Sequence, residues 1–286
     1  MSVDVLQEKI RKTKNPSVLE LNLALNDLPP QFERRGEGYG AFCRALLDCL
    51  KGIVPAVRFS FSAFALNGAF EQLREIMAYG MEQGFYVLLD APEILSPAAA
   101  KLTAEMLLGE GSGYACDGLV ISGYLGSDVI KPFLPYCKKQ QKDIFVVTRT
   151  ANKSAPELQD LLSGTRLVHA AAADHVNRYG ADTAGKFGYT RVGILAAASA
   201  AESLRSLRMK YSRLFFLVDG YDYPNANAKN CSFAFDKFGH GAAVCSGNGI
   251  SCAWTSAESD GSDFADHAKA AAERMKKNLT RYVTIL

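Results

Sequence analysis

The sequence predicts a single (β/α)8 barrel, and three observations carry that expectation. Eight short runs of β-branched and apolar residues recur along the 286-residue chain. Helical patterns lie between them, and no Pro/Ser/Gly-rich linker or low-complexity tract interrupts the rhythm. Most of the runs are near-continuously apolar, as expected of parallel strands covered on both faces. An open doubly wound sheet is the alternative, but eight strands sit better with closure.

The elements follow in order. Residues 1–14 read as an N-terminal helix, and the whole chain, 1–286, as one domain. Strands are expected at Ser17–Leu25, Ala56–Phe64, Phe85–Ala91 and Gly118–Gly123, then at Asp143–Thr150, Arg191–Ala197, Arg213–Asp219 and Gly241–Ser246. Phe70, Leu73, Ile76, Met77 and Met81 recur at helical spacing, as do Phe264, Ala268, Ala271, Met275 and Leu279. Ser96-Pro97 supplies a hydroxyl cap and a first-turn proline. Ser199 to Tyr211, with Leu204, Leu207 and Arg208, reads as an outer-ring helix. The glycine-rich stretch 109–113 precedes a strand, so it belongs to the barrel's N-terminal face and reads as a loop.

Composition excludes several classes. Lys+Arg 32 against Asp+Glu 30 leaves +2, with no basic run to suggest nucleic acid or an anionic membrane surface. No apolar run approaches the roughly 18 residues of a membrane span. The first fifteen residues lack the apolar core of a signal peptide, so cytoplasmic residence is expected. Seven cysteines without a C-x-x-C pair and four scattered histidines point to free thiols and no zinc site. No cofactor or metal is expected.

In such a barrel chemistry belongs to the C-terminal strand ends and the loops after them. The candidates there are Asn22, Arg58, Asp90, Glu93, Tyr124, Asp128, Arg149, Asn152, Asp219, Asp222 and Asn248. Asp90 with Glu93 could pair as carboxylates, and Arg58, Glu93 and Arg149 could form a new site for a small anion. A structural ion pair competes for Arg149. Asp219, Asp222, Asn225 and Asn227 do not match the spacing of a calcium loop and read as a polar turn. Tyr221 and Tyr223, beside Pro224, either fill the mouth or form an aromatic patch.

Read in order, these segments resemble the orotidine 5'-monophosphate decarboxylases, as a divergent bacterial-type member. NPSVLELNLALNDLPP is similar to the family's N-P-S-V-x-G-L-D-P, and VRFSFSAFALNG to V-K-F-Q-x-A-F-F-E-x-x-G. LLDAPEILSPAAA resembles D-A-K-R-G-D-I-x-x-T-A, and GYLGSDVIKPFL resembles P-Y-L-G-x-D-x-x-x-P-F. FVVTRTANKSAPELQDL resembles F-V-L-V-R-T-S-N-P-x-S-x-x-x-Q-D-L. FLVDGYDYPNAN stands where the family has P-G-x-G-A-Q-G-G, and VCSGNGISCAW where it has N-S-S-R-G-I-x-Y-A.

The resemblance implies a Lys-Asp-Lys-Asp array in which a lysine protonates the carbanion left by departing CO2. Here only Asp90 is kept; Arg58, Pro92 and Leu95 occupy the other three positions. Proline and leucine supply neither proton nor charge, and an arginine holds its proton too tightly to donate it. A general acid alone contributes about 10²–10⁴-fold. The ligand-holding positions are degenerate too. Asn22 replaces the ribose Asp, Ala151 the Ser beside the retained Asn152, Pro224 the phosphate-loop Gln and Asn248 the phosphate Arg, while Asp219 and Asp222 enter the loop. An aspartate about 5 Å from a phosphate charge repels it by roughly 3 kcal/mol at an effective dielectric near 20.

The reading that follows is a decarboxylase-like barrel that has lost decarboxylation and serves as a binding, regulatory or oligomer-forming protein. The alternatives are an active orotidylate decarboxylase of UMP synthesis with its groups elsewhere, and altered chemistry on another small anionic ligand. The resemblance also implies a homodimer; Ile94 and Leu95 of the third-strand loop are poor choices for an exposed tip, so they either bury against the second subunit or fold back onto their own barrel mouth.

Overall fold

A computed structural model describes residues 3–24, 26–32 and 36–286. All eight expected strands form, and they close a parallel barrel in chain order. They are β1 (Ser17–Leu21), β2 (Ala56–Ser60), β3 (Tyr86–Asp90), β4 (Gly118–Ser122), β5 (Asp143–Arg149), β6 (Thr190–Ala197), β7 (Leu214–Asp219) and β8 (Ala242–Ser246). Ser17 of β1 pairs with Val244 of β8, which closes the ring and excludes the open sheet. A two-residue hairpin, Leu162–Ser163 with Arg166–Leu167, stands outside it.

Two expected strands end four residues earlier than the apolar pattern suggested, and the others differ by a residue at one or both ends. β1 stops at Leu21; the expected end at residue 25 lies outside the described residues. β2 stops at Ser60, and residues 61–64 turn into the helix Phe61–Leu66. The Ser60 hydroxyl accepts the Ala63 N–H at 3.2 Å, so the last strand residue is also the helix cap. Apolar content does not distinguish a strand from a short buried helix.

The helical expectations hold at Phe70–Glu82, Pro97–Leu108, Ala201–Lys210 and Phe264–Thr280. Ser96 caps its helix by accepting the Ala99 N–H at 3.1 Å. Arg208 is buried because its guanidinium donates to the carbonyls of Ala234, Leu214 and Gly241 at 2.7–2.8 Å. The N-terminal helix Val3–Thr13 packs Leu6 and Ile10 into the core, and its Gln7 accepts the Gly241 N–H just before β8. Residues 1 and 2 of the expected helix lie outside the described residues.

Among the described residues no helix is long and apolar enough to cross a membrane. All seven cysteines are free. Among the described residues no group of His, Cys, Asp and Glu is arranged to hold a metal ion.

Candidate functional site

Parallel register brings three charged side chains of adjacent strands to the C-terminal mouth. Glu20 of β1 lies beside Arg58 of β2, and Asp90 ends β3 beside Ser60. Asp219 ends β7 on the far side of β1 and β8. Arg58 reaches all three acids. Its Nε donates to Asp90 Oδ1 at 2.6 Å and its Nη1 to Asp219 Oδ1 at 2.7 Å, while Glu20 Oε1 lies 3.5 Å from Nη1. One buried guanidinium, 7% exposed, therefore links four strands.

The electrostatics follow from burial. Loss of water pushes the Glu20 carboxyl up to about 7; Arg58 opposes this, and Asp219, Asp90 and Asp222 reinforce it. Asp90 is likewise raised by burial, with Arg58 pulling it back down. Burial would weaken the Arg58 proton, but Asp90, Glu20 and Asp219 outweigh it and hold the guanidinium well above its ordinary range. Arg58 stays charged, and its Nε and Nη1 are taken by the three acids.

Around this cluster opens a cleft of about 460 Å³, lined also by Asn22, Asp222, Tyr223, Pro224 and Asn248. Four carboxylates line it against a single cation. Its β7–β8 side is where barrels commonly seat a phosphate, on backbone N–H groups at the start of a short extra helix. Here those donors are already used. The Asp222 carboxylate accepts the Ser246 hydroxyl at 2.7 Å, the Gly247 N–H at 2.8 Å and the Gly249 N–H at 3.3 Å. A side chain at Gly249 would put its Cβ 2.2 Å from Asp222 Oδ1, so this contact needs glycine there. Asn248 turns its amide to Asp27, at 3.3 Å.

The remaining sequence candidates lie apart. Arg149 makes two 2.9 Å bonds to Asp160, whose Oδ1 also lies 3.1 Å from His169 Nδ1. Arg149 and Asn152 line a neighbouring cleft, and Tyr223 with Pro224 line both, so that pair forms a wall between the two. Glu93 is exposed and lines neither. Tyr124 donates its hydroxyl to the Thr148 carbonyl, and Asp128 pairs with Lys131 at 3.1 Å. Ile94 packs into its own barrel at 5% exposure, whereas Leu95 stands 74% exposed and Pro92 is half-buried.

Sequence reasoning missed Glu20. The signal was present: in the N-P-S-V-x-G-L-D-P pattern the residue before L-D is glycine, and this chain has Glu20 there. A carboxylate in place of a hydrogen on an interior strand position demands a partner. Arg58 is that partner.

No family model matches the chain. It is 28% identical to orotidine 5'-phosphate decarboxylase of Clostridium perfringens over 287 residues, covering 98% of each. It is 27% identical to the enzyme of that name from Rhodopirellula baltica, covering 96% of this chain and 97% of that one. In fold it is similar to Leishmania donovani OMP decarboxylase, with a TM-score of 0.75 at 21% identity, covering 99% and 98% of the two chains. Plasmodium berghei orotidine 5'-monophosphate decarboxylase superposes at 0.76 with 13% identity, covering 98% of this chain and 97% of that one. The resemblance read from the strand-end motifs therefore extends over the full length, and this chain is a relative of the orotidine 5'-phosphate decarboxylases in sequence and in barrel fold.

Proposed function

We propose that this chain is a decarboxylase-like barrel that no longer decarboxylates orotidylate and acts by binding or by pairing with a second copy. One observation carries the reading: the mouth is saturated by its own side chains. Arg58 is committed to Asp90, Asp219 and Glu20, and the phosphate donors are committed to Asp222. A dianionic phosphate with a carboxylate on its pyrimidine would meet four acids and no free cation in the cleft. No proton donor stands at Pro92. Asp90, Arg58, Pro92 and Leu95 are the residues at the former array, and Asn22, Asn152, Asp219, Asp222 and Asn248 those at the former ligand positions.

The test is orotidylate decarboxylation followed by absorbance with purified protein. We expect no turnover above the no-enzyme control. Turnover that Asp90→Ala abolishes overturns the reading in favour of an active decarboxylase; turnover of another small anion, sensitive to Arg58 and Asp90, favours altered chemistry.

The same reading includes one domain over 1–286, a cytoplasmic setting and a homodimer. Support for pairing comes from the loop after β3 and the helix behind it, where Leu95, Leu102 and Met106 are exposed at 74%, 68% and 42%. Burying each against a second copy would contribute about 1.5–3 kcal/mol. Ile94, already inside its own barrel, would not take part. Sedimentation should give a dimer that Leu95→Asp/Leu102→Asp converts to monomer. A monomeric wild type removes the proposal.

A further inference from the structure

On the outer wall, behind the loop that follows β7, a groove of about 520 Å³ lies between the helices Ala228–Ser232 and Phe264–Thr280. Tyr221, Tyr282, Lys229, Asn278 and Arg281 are among its lining residues. Tyr221 is held in place: its side chain packs against the core and its hydroxyl is bonded to Asn278. Arg274 lies four residues before Asn278 and seven before Arg281, on the same helix face, and close enough to act on the Tyr221 hydroxyl.

The charge here is uncompensated. Lys131, Lys138, Lys186 and Lys210 have carboxylate partners, whereas other surface cations such as Lys139 and Lys153 have none among the described residues. Among the described residues Lys229, Arg274 and Arg281 have none, and no carboxylate lines the groove. Asp222 also acts on Tyr221, but its oxygens are taken by Ser246, Gly247 and Gly249. Glu273 is paired with Lys276.

We infer that this groove is a binding site for a phosphate ester carrying a planar ring. Lys229 and Arg281 line the groove and hold the phosphate, Arg274 adds positive charge from beside Tyr221, the Tyr221 and Tyr282 rings hold the flat body, and Asn227 offers its amide to the polar edge. The volume falls in the range of about 300–1,000 Å³ usual for small-ligand sites. The ligand sits outside the barrel, so this inference stands whether or not the mouth decarboxylates.

Adenosine 5'-monophosphate and inorganic pyrophosphate serve as probes, with affinity measured by calorimetry on the full chain. The nucleotide should bind the wild type, more weakly as salt rises. Lys229→Glu and Arg281→Glu should each weaken both probes by at least tenfold. Tyr282→Ala should weaken the nucleotide about threefold to tenfold and leave pyrophosphate unchanged. Lys138→Glu, a charge reversal outside the groove, should leave nucleotide affinity within twofold. Absence of nucleotide binding at millimolar concentration overturns the proposal. So does binding that Lys229→Glu and Arg281→Glu leave intact, or an affinity for pyrophosphate equal to that for the nucleotide.

Discussion

The barrel mouth and the outer groove lie on either side of the same short loop, and they treat charge in opposite ways. At the mouth the charged donor and the loop donors are matched: Arg58 by Glu20, Asp90 and Asp219, and Ser246, Gly247 and Gly249 by Asp222. In the groove Lys229 and Arg281 face solvent, and no acid among the described residues lines it. Tyr223 belongs to the first region and Tyr221 to the second. A cavity's position in a fold therefore says less about its ligand capacity than the balance of its polar groups. The mouth is where ligands of this architecture sit, yet here its polar groups are spent on one another.

The largest expected effect comes from breaking that balance at its centre. Arg58→Met leaves three partly buried carboxylates without a cation and should cost about 3–5 kcal/mol, lowering the melting temperature by on the order of 10 °C. Adding Glu20→Gln should restore part of the loss. A melting point unchanged by Arg58→Met would mean that the cluster is solvated and that the mouth is open to ligands.

A smaller effect should appear in the pH profile. The folded Glu20 carboxyl titrates near 7, above its ordinary value of 4.5, so folding takes up a proton between these values. Its contribution is fully present below about pH 4.5 and is lost as pH rises through 7. Chemical denaturation of the wild type should show stability falling across that window. The slope should flatten in Glu20→Gln. A wild-type profile that rises from pH 5 to 7 would assign the dominant titration to other groups.

The smallest effect sharpens the contrast at the phosphate donors. Asp222→Ala frees the Ser246 hydroxyl and the Gly247 and Gly249 amides, so millimolar sulfate should stabilise the variant by up to about 1 kcal/mol. The wild-type mouth should not respond. Because the groove also attracts anions, the comparison is made in a Lys229→Glu/Arg281→Glu background. Equal sulfate responses with and without the Asp222→Ala change would show that the carboxylate does not occupy an anion site.

The fold was legible in the sequence to an extent the site was not. β-Branched runs such as RLFFLVD and DIFVVTR announce buried parallel strands by composition alone, and all eight formed within a few residues of their expected limits. The overrun at residues 61–64 reflects an apolar segment whose Ser60 hydroxyl commits it to a helix, a choice that hydrophobicity does not encode. Losses at Pro92 and Leu95 were equally plain, because single positions carried them. The compensations were hidden, since each joins residues distant in sequence. Glu20 is meaningful only beside Arg58, and Asp222 only once the loops after β7 and β8 meet. Ile94 and Leu95 are alike in composition and opposite in exposure, which a loop sequence does not reveal.

The closure of β1 on β8 has a consequence for how the chain is made. β1 is complete at Leu21, but the strand that covers its second edge spans Ala242–Ser246. At about 5–20 residues per second, a ribosome needs roughly 10–45 s to cover that interval. Throughout it, the first strand has at most one neighbour, and until β7 emerges Arg58 has Glu20 and Asp90 but not Asp219. A nascent barrel thus carries an unpaired edge and a half-assembled mouth, the condition in which chaperone capture or pairing between chains competes with folding. The ion cluster is completed only when β7 arrives, and it acts as a latch on a ring whose ends meet last.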